Sequence, residues 1–138
     1  MNLERFVIAQ EESYEVALRE IKEGRKRSHW MWYIFPQIKG LGHSSTAEYF
    51  AIESMAEAEA YIKHPVLSKR LLEISEALLE IDSNDASEIF GYPDDLKLRS
   101  SMTLFSIISR KTVFKRVLDK FFDGEIDQRT VELMKDVN

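Results

Sequence analysis

His29-Trp30-Met31-Trp32-Tyr33-Ile34-Phe35-Pro36-Gln37 is the stretch whose reading decides the fold of this chain. Trp30 to Phe35 is apolar on every side, and its aromatic and branched residues favour a strand. Periodicity alone does not separate a buried strand from a buried helix. Ser28 is able to cap a helix, and Pro36 would end one at Phe35. A lone strand among helices would have no partner for its backbone, so the run reads as helix.

The surroundings are helical in both directions. Upstream, Tyr14, Ala17, Leu18 and Ile21 share a face and Gly24 supplies a stop, while Leu3, Phe6 and Val7 suggest a shorter helix before it. Downstream, Ser54-Met55-Ala56-Glu57 is a capping box opening a helix toward Lys63. Pro65 suits the first position of the next helix and makes His64 its N-cap; Leu67, Leu71, Ile74, Leu78 and Ile81 form its buried face, until Asp82-Ser83-Asn84 breaks the pattern. Asp85 and Glu88 make a second capping box, for a short helix stopped by Gly91. Pro93 starts another helix, with Asp94 and Asp95 in the first turn and Leu98, Met102, Phe105 and Ile108 turned inward. Phe114, Val117, Leu118, Phe121 and Phe122 form a stripe ended by Gly124, and Asp127 caps a last helix carrying Val131 and Met134. The reading is an all-α, multihelical single domain over residues 1–138, with about seven helices.

Composition sets outer limits. The 138 residues are 44% hydrophobic and 31% charged, a balance that folds around a core without staples. There is no cysteine, which removes disulfides, thiolate zinc sites and a cysteine nucleophile together. A net charge of −5 argues against general nucleic-acid binding. The longest apolar run, Trp30 to Phe35, is too short to span a bilayer. The N-terminus shows no basic stretch followed by an apolar one, so a cytoplasmic location is expected.

The polar residues around the aromatic run are the place to look for chemistry. Trp30 or Trp32 would stack on a flat ligand, although each ring also suits the core. Lys26 and His29 stand on one side, Gln37, His43 and Ser44 on the other. Gly40-Leu41-Gly42 resembles the start of a dinucleotide fingerprint, but Ser45 stands where a third glycine belongs and no strands alternate with helices. The three histidines, His29, His43 and His64, match no zinc spacing, and no metal site or cofactor is read. Asp94, Lys97 and Ser101 share a helical face, with Arg99, Ser100 and Thr103 nearby. The plainer account is an Asp94–Lys97 surface pair; the sharper one is a polar strip where Lys97 or Arg99 binds phosphate and Asp94 is a catalytic base.

Lys26-Arg27-Ser28-His29-Trp30-Met31-Trp32-Tyr33-Ile34-Phe35-Pro36-Gln37 with Gly40-Leu41-Gly42-His43-Ser44 resembles the hallmark of the "domain of unknown function 1810" family. The resemblance continues through Glu57-Ala58, Tyr61, His64-Pro65-Val66-Leu67, Arg70-Leu71, Phe90-Gly91, Pro93-Asp94 and Lys97 to Phe105, and ends near Phe121-Phe122-Asp123-Gly124, Asp127 and Thr130. It implies a mainly helical domain and brings no activity. More faintly, His64-Pro65-Val66-Leu67, Leu71-Leu72, Asp85 and Phe90-Gly91 are similar to a stretch of the NADAR family, linked to ADP-ribose processing, with Phe90 where a tryptophan is typical.

Three functions follow as expectations. The first is binding of a small phosphate-bearing or nucleotide-like ligand by Lys26, His29, Trp30, Trp32, Gln37, His43, Ser44, Lys97, Arg99 and Ser101. The second is an N-glycosidase-type hydrolase acting on an ADP-ribose-like substrate, with Asp94 catalytic. The third is a non-catalytic protein-interaction module that exposes the aromatic run. The oligomeric state stays open.

Overall fold

A computed structural model describes residues 1–137. Nine helices lie among them: α1 (Glu4–Lys22), α2 (Met31–Ile34), α3 (Ser45–Tyr49), α4 (Met55–Lys63), α5 (Pro65–Glu80), α6 (Ala86–Phe90), α7 (Asp94–Ile108), α8 (Val113–Phe122) and α9 (Gln128–Asp136). Local signals account for most boundaries. The Ser54 hydroxyl accepts from Glu57 N–H at 3.0 Å, and His64 Nδ1 accepts from both Val66 and Leu67 N–H. Asp85 and Asp127 carboxylates cap α6 and α9. Each of these side chains satisfies donors that a helix start would leave without a partner.

Three expectations change. Leu3, Phe6 and Val7 do not form a separate helix, because nothing between Glu4 and Lys22 interrupts one 19-residue α1. The aromatic run is helical, as the sequence suggests, but only for the four residues of α2. Its end follows from chemistry: Phe35 precedes Pro36 and takes φ −123°, ψ 75°, outside the helical region. Ser28 does not cap this turn; its hydroxyl is turned to Glu20. A short α3, capped by Ser44 Oγ on Ala47 N–H, and a parallel bridge between Ile38 and Ile52 complete the region.

The core is continuous. In it α5 packs on α1, α4 and α8, and α7 packs on α4, α6, α8 and α9. A file of rings crosses four helices: Phe6 meets Tyr61 edge-on at 5.1 Å, Tyr61 meets Phe105 at 5.4 Å, and Phe105 meets Phe114 at 5.8 Å. Trp30, Phe35 and Phe90 form a second aromatic group at the end of α6. No helix among the described residues is long and apolar enough to cross a membrane.

Candidate functional site

The site begins where α1 ends. Gly24 adopts φ +77°, a left-handed conformation that glycine takes without strain, and reverses the chain. The following segment runs back along α1 and is tied to it by Glu20. That carboxylate is buried, 4% exposed, and has no cationic partner among the described residues. It accepts from the Ser28 hydroxyl at 2.6 Å, Arg27 N–H at 2.8 Å, the Trp30 indole at 2.9 Å and Ser28 N–H at 3.0 Å. Burial pushes its pKa up, but these four bonds outweigh that and hold it at about 2. Lys26 N–H also donates to Ile89 O at 2.7 Å, which joins the segment to α6.

So held, Lys26 reaches the first turn of α7. Its ammonium lies 2.9 Å from Asp94 Oδ2 and 5.0 Å from the centre of the Trp30 ring, and donates to Ser28 O. Lys97 approaches the other oxygen of the same carboxylate, Oδ1, at 3.3 Å, and lies 5.3 Å from the centre of the Trp32 ring. Five of the residues singled out from sequence thus form one chain of contacts from three segments: Trp30, Lys26, Asp94, Lys97, Trp32. The inner members are closed in. Trp30 is 1% exposed and belongs to the core, with its only polar group already bonded, so its ring is unavailable for stacking on a ligand. Lys97 and Trp32 are half-buried and form the outer edge.

The Gly40 loop lies beside this edge. Trp32, Gln37, Gly42, Ala47 and Phe50 line a narrow crevice, and Gly42 continues into a cleft of about 330 Å³ with Lys39, His43, Glu48 and Glu53. Gly42 is required sterically: a Cβ there would fall 2.6 Å from the Ala47 Cβ. Gln37 therefore lines the crevice with Trp32 and His43 lines the adjoining cleft, whereas Ser44 is spent on capping α3. His29 is exposed.

Two residues fall elsewhere. Arg99 is carried by α7 away from Lys97, and its charge helps to hold the Asp127 carboxyl below its ordinary range; burial opposes this, and bonds from Ser100, Thr130 and Arg129 N–H contribute before it. Ser101 is fully buried with its hydroxyl unpartnered. The Arg99–Ser101 part of the polar strip is accordingly separate from the Lys26–Asp94–Lys97 cluster or beneath the surface. Among the described residues no group of three His, Cys, Asp or Glu is placed to hold a metal ion.

Several polar residues that matter to this architecture are invisible to spacing rules. Glu20 reads in sequence as one more acid on an amphipathic helix. Arg5 and Glu57 form a two-point buried ion pair at 2.9 Å on each arm, across 52 residues. Gln10, 1% exposed, donates to Tyr33 O and the Tyr61 hydroxyl. The only local hint was Glu57 in its capping box.

The pattern of the "Protein of unknown function (DUF1810)" family matches residues 1–134, and the chain belongs to that family. A crystal structure of the conserved hypothetical protein Rv1873 from Mycobacterium tuberculosis is similar to it, with 44% identity and a TM-score of 0.94 over 97% of this chain and 96% of that one. No curated protein matches the chain.

Proposed function

We propose that this member of the DUF1810 family binds a small phosphate-bearing or nucleotide-like ligand where Lys97 and Trp32 form the outer edge of the Lys26–Asp94–Lys97 cluster. One observation carries the reading: two ammonium groups share a single carboxylate, at 2.9 and 3.3 Å, on a chain of net charge −5. Lys26 is fixed by Asp94 and Ser28 O, whereas the outer Lys97–Asp94 contact is the half-exposed kind that contributes little to stability. Lys97 can therefore turn from Asp94 to an incoming anion at small cost. Trp32 offers a ring beside it, and Gln37 and His43 add hydrogen-bonding groups along the crevice and cleft.

Thermal shift and calorimetry against nucleotides, ADP-ribose and sugar phosphates test this. A ligand should stabilise the protein, and Lys97→Ala and Trp32→Ala should each weaken it about tenfold. No stabilising ligand, with both variants neutral, refutes it.

The hydrolase alternative gives Asp94 a proton to remove from water, yet both of its oxygens face ammonium groups. Asp94→Asn separates the two readings. Pure binding predicts retained or tighter affinity for the anion, since a negative charge is lost; hydrolysis of an ADP-ribose-like substrate predicts retained binding with turnover abolished. The interaction-module reading is weakened by burial, because Trp30, Met31, Ile34 and Phe35 are each at most 2% exposed.

A further inference from the structure

A second cleft lies on another part of the molecule, between α1 and α5, with a volume of about 510 Å³. Tyr14, Glu15, Pro65, Val66, Lys69, Arg70 and Glu73 line it. None of these residues belongs to the Lys97 site.

Arg70 is its unusual member. The guanidinium carbon lies 5.4 Å from the centre of the Tyr14 ring, and Nη1 donates to Gln10 Oε1 at 3.3 Å. Gln10 is itself buried, and its amide nitrogen is committed to Tyr33 O and Tyr61 Oη, so the oxygen that meets Arg70 cannot turn away. Tyr14 is fixed in the same way. It donates its one proton to Glu73 Oε1 at 2.5 Å, with Arg70 O 3.1 Å from the same hydroxyl, and burial together with the Glu73 bond holds that hydroxyl protonated. The guanidinium is therefore pre-oriented, yet no carboxylate among the described residues lies within ion-pair distance of it. A planar fork left free of an acid partner is suited to two-point recognition of an oxyanion.

The rest of the lining narrows the chemistry. Lys69 adds a second cation, whereas Glu15 and Glu73 add two acids that would repel a plain dianion. Pro65 and Val66 add an exposed apolar edge. The helix start of α5 is not the anchor, because His64 already occupies its N–H groups. We propose that this cleft binds a zwitterionic small molecule of the α-amino-acid or short-peptide class. Its carboxylate pairs with Arg70 and Lys69, its ammonium with Glu73 and Glu15, and its side chain rests on Pro65 and Val66. The volume lies in the range typical of small-ligand pockets.

Titration of the isotope-labelled full chain by NMR tests this, with free amino acids and dipeptides as zwitterionic probes and with inorganic phosphate, acetate and ethylammonium as partial probes. Saturable shifts at the Tyr14, Val66 and Arg70 amides are expected in the millimolar range or below for zwitterions, and only at higher concentration for each partial probe. Arg70→Lys and Glu73→Gln should each weaken binding about tenfold. Lys69→Ala, at an exposed position that leaves the packing intact, should weaken it by a smaller factor. Trp32→Ala and Lys97→Ala should leave it unchanged, which keeps this result separate from the fate of the other site. No saturable shift with any zwitterion, phosphate binding as tightly as the best zwitterion, or indifference to both Lys69→Ala and Glu73→Gln overturns the proposal.

Discussion

Replacing Glu20 by Gln keeps the shape of the side chain and removes its charge. Four donors converge on this carboxylate: two backbone N–H groups, one hydroxyl and the Trp30 indole. An amide can still accept the three N–H bonds through its oxygen, and Ser28 can rotate its proton to meet the new NH2. What disappears is the charge assistance. A carboxylate whose pKa falls from 4.5 to about 2 on folding contributes about 3 kcal/mol to stability. The folded value is the lower one, so this contribution is complete above about pH 5 and drains away as the pH falls from about 4.5 toward about 2. The Gln variant has nothing to lose in that window. Urea denaturation followed by far-ultraviolet circular dichroism should show Glu20→Gln less stable by about 2–3 kcal/mol at pH 7. The gap should shrink through pH 4 and close only as the pH falls to about 2 and below, where the folded wild-type side chain takes up its proton too. The Glu57 and Asp127 carboxyls are also held low on folding, but they titrate in both proteins and cancel in the difference. A gap that is constant from pH 7 to pH 3, or below about 1 kcal/mol at pH 7, refutes the assignment of Glu20 as an ionised buried anchor.

Other groups make comparable tests. Arg5→Met strands the Glu57 carboxylate and removes donors from Tyr49 O and Ala51 O, both at 2.7 Å. It should cost about 3–5 kcal/mol in urea titration, with an Arg5→Met/Glu57→Leu double variant more stable than the single one. Lys120 donates to Leu78 O at 2.9 Å and Leu79 O at 3.3 Å, and also to Ile81 O, closing the C-terminal end of α5. Lys120→Met should lose about 1–2 kcal/mol by thermal denaturation, and Lys120→Arg less. Gly42→Ala places a methyl group 2.6 Å from the Ala47 Cβ and should cost about 1–3 kcal/mol, while Gly42→Ala/Ala47→Gly should recover most of it.

What the sequence revealed follows from how far each interaction reaches along the chain. Caps act over two or three residues, so His64, Ser54, Asp85 and Asp127 were readable, and with them the starts of four helices. The Lys97–Asp94 pair spans one turn and was equally plain. Lys26 and Asp94 were both singled out, but their contact depends on the turn at Gly24 and on the Glu20 anchor, which spacing does not encode. Arg5 and Glu57 meet across 52 positions, and only the fold brings them together. The aromatic run sits between these cases. Its helical character was legible from Pro36 and the absence of partner strands, whereas the Ser28 cap read from sequence is not made. Its length was not, because Trp30, Met31, Ile34 and Phe35 are placed by the core around them rather than by backbone preference.

The placement of buried charge explains how a nearly all-helical chain holds two irregular segments in order. Gly24–Trp30 and Phe50–Ser54 have no ladder of backbone bonds like that of a helix. The first is tied down by Glu20, which answers backbone N–H groups of Arg27 and Ser28; the second is tied down by Arg5, which answers backbone carbonyls of Tyr49 and Ala51. One residue supplies acceptors and the other donors, and both project from α1. The Lys26 side of the candidate site and the α3–α4 link beside the Trp32 crevice thus hang from the same helix. A change that loosens α1 should disturb both together, whereas Lys97 and Asp94, carried by α7, would stay in place and lose only their inner partner.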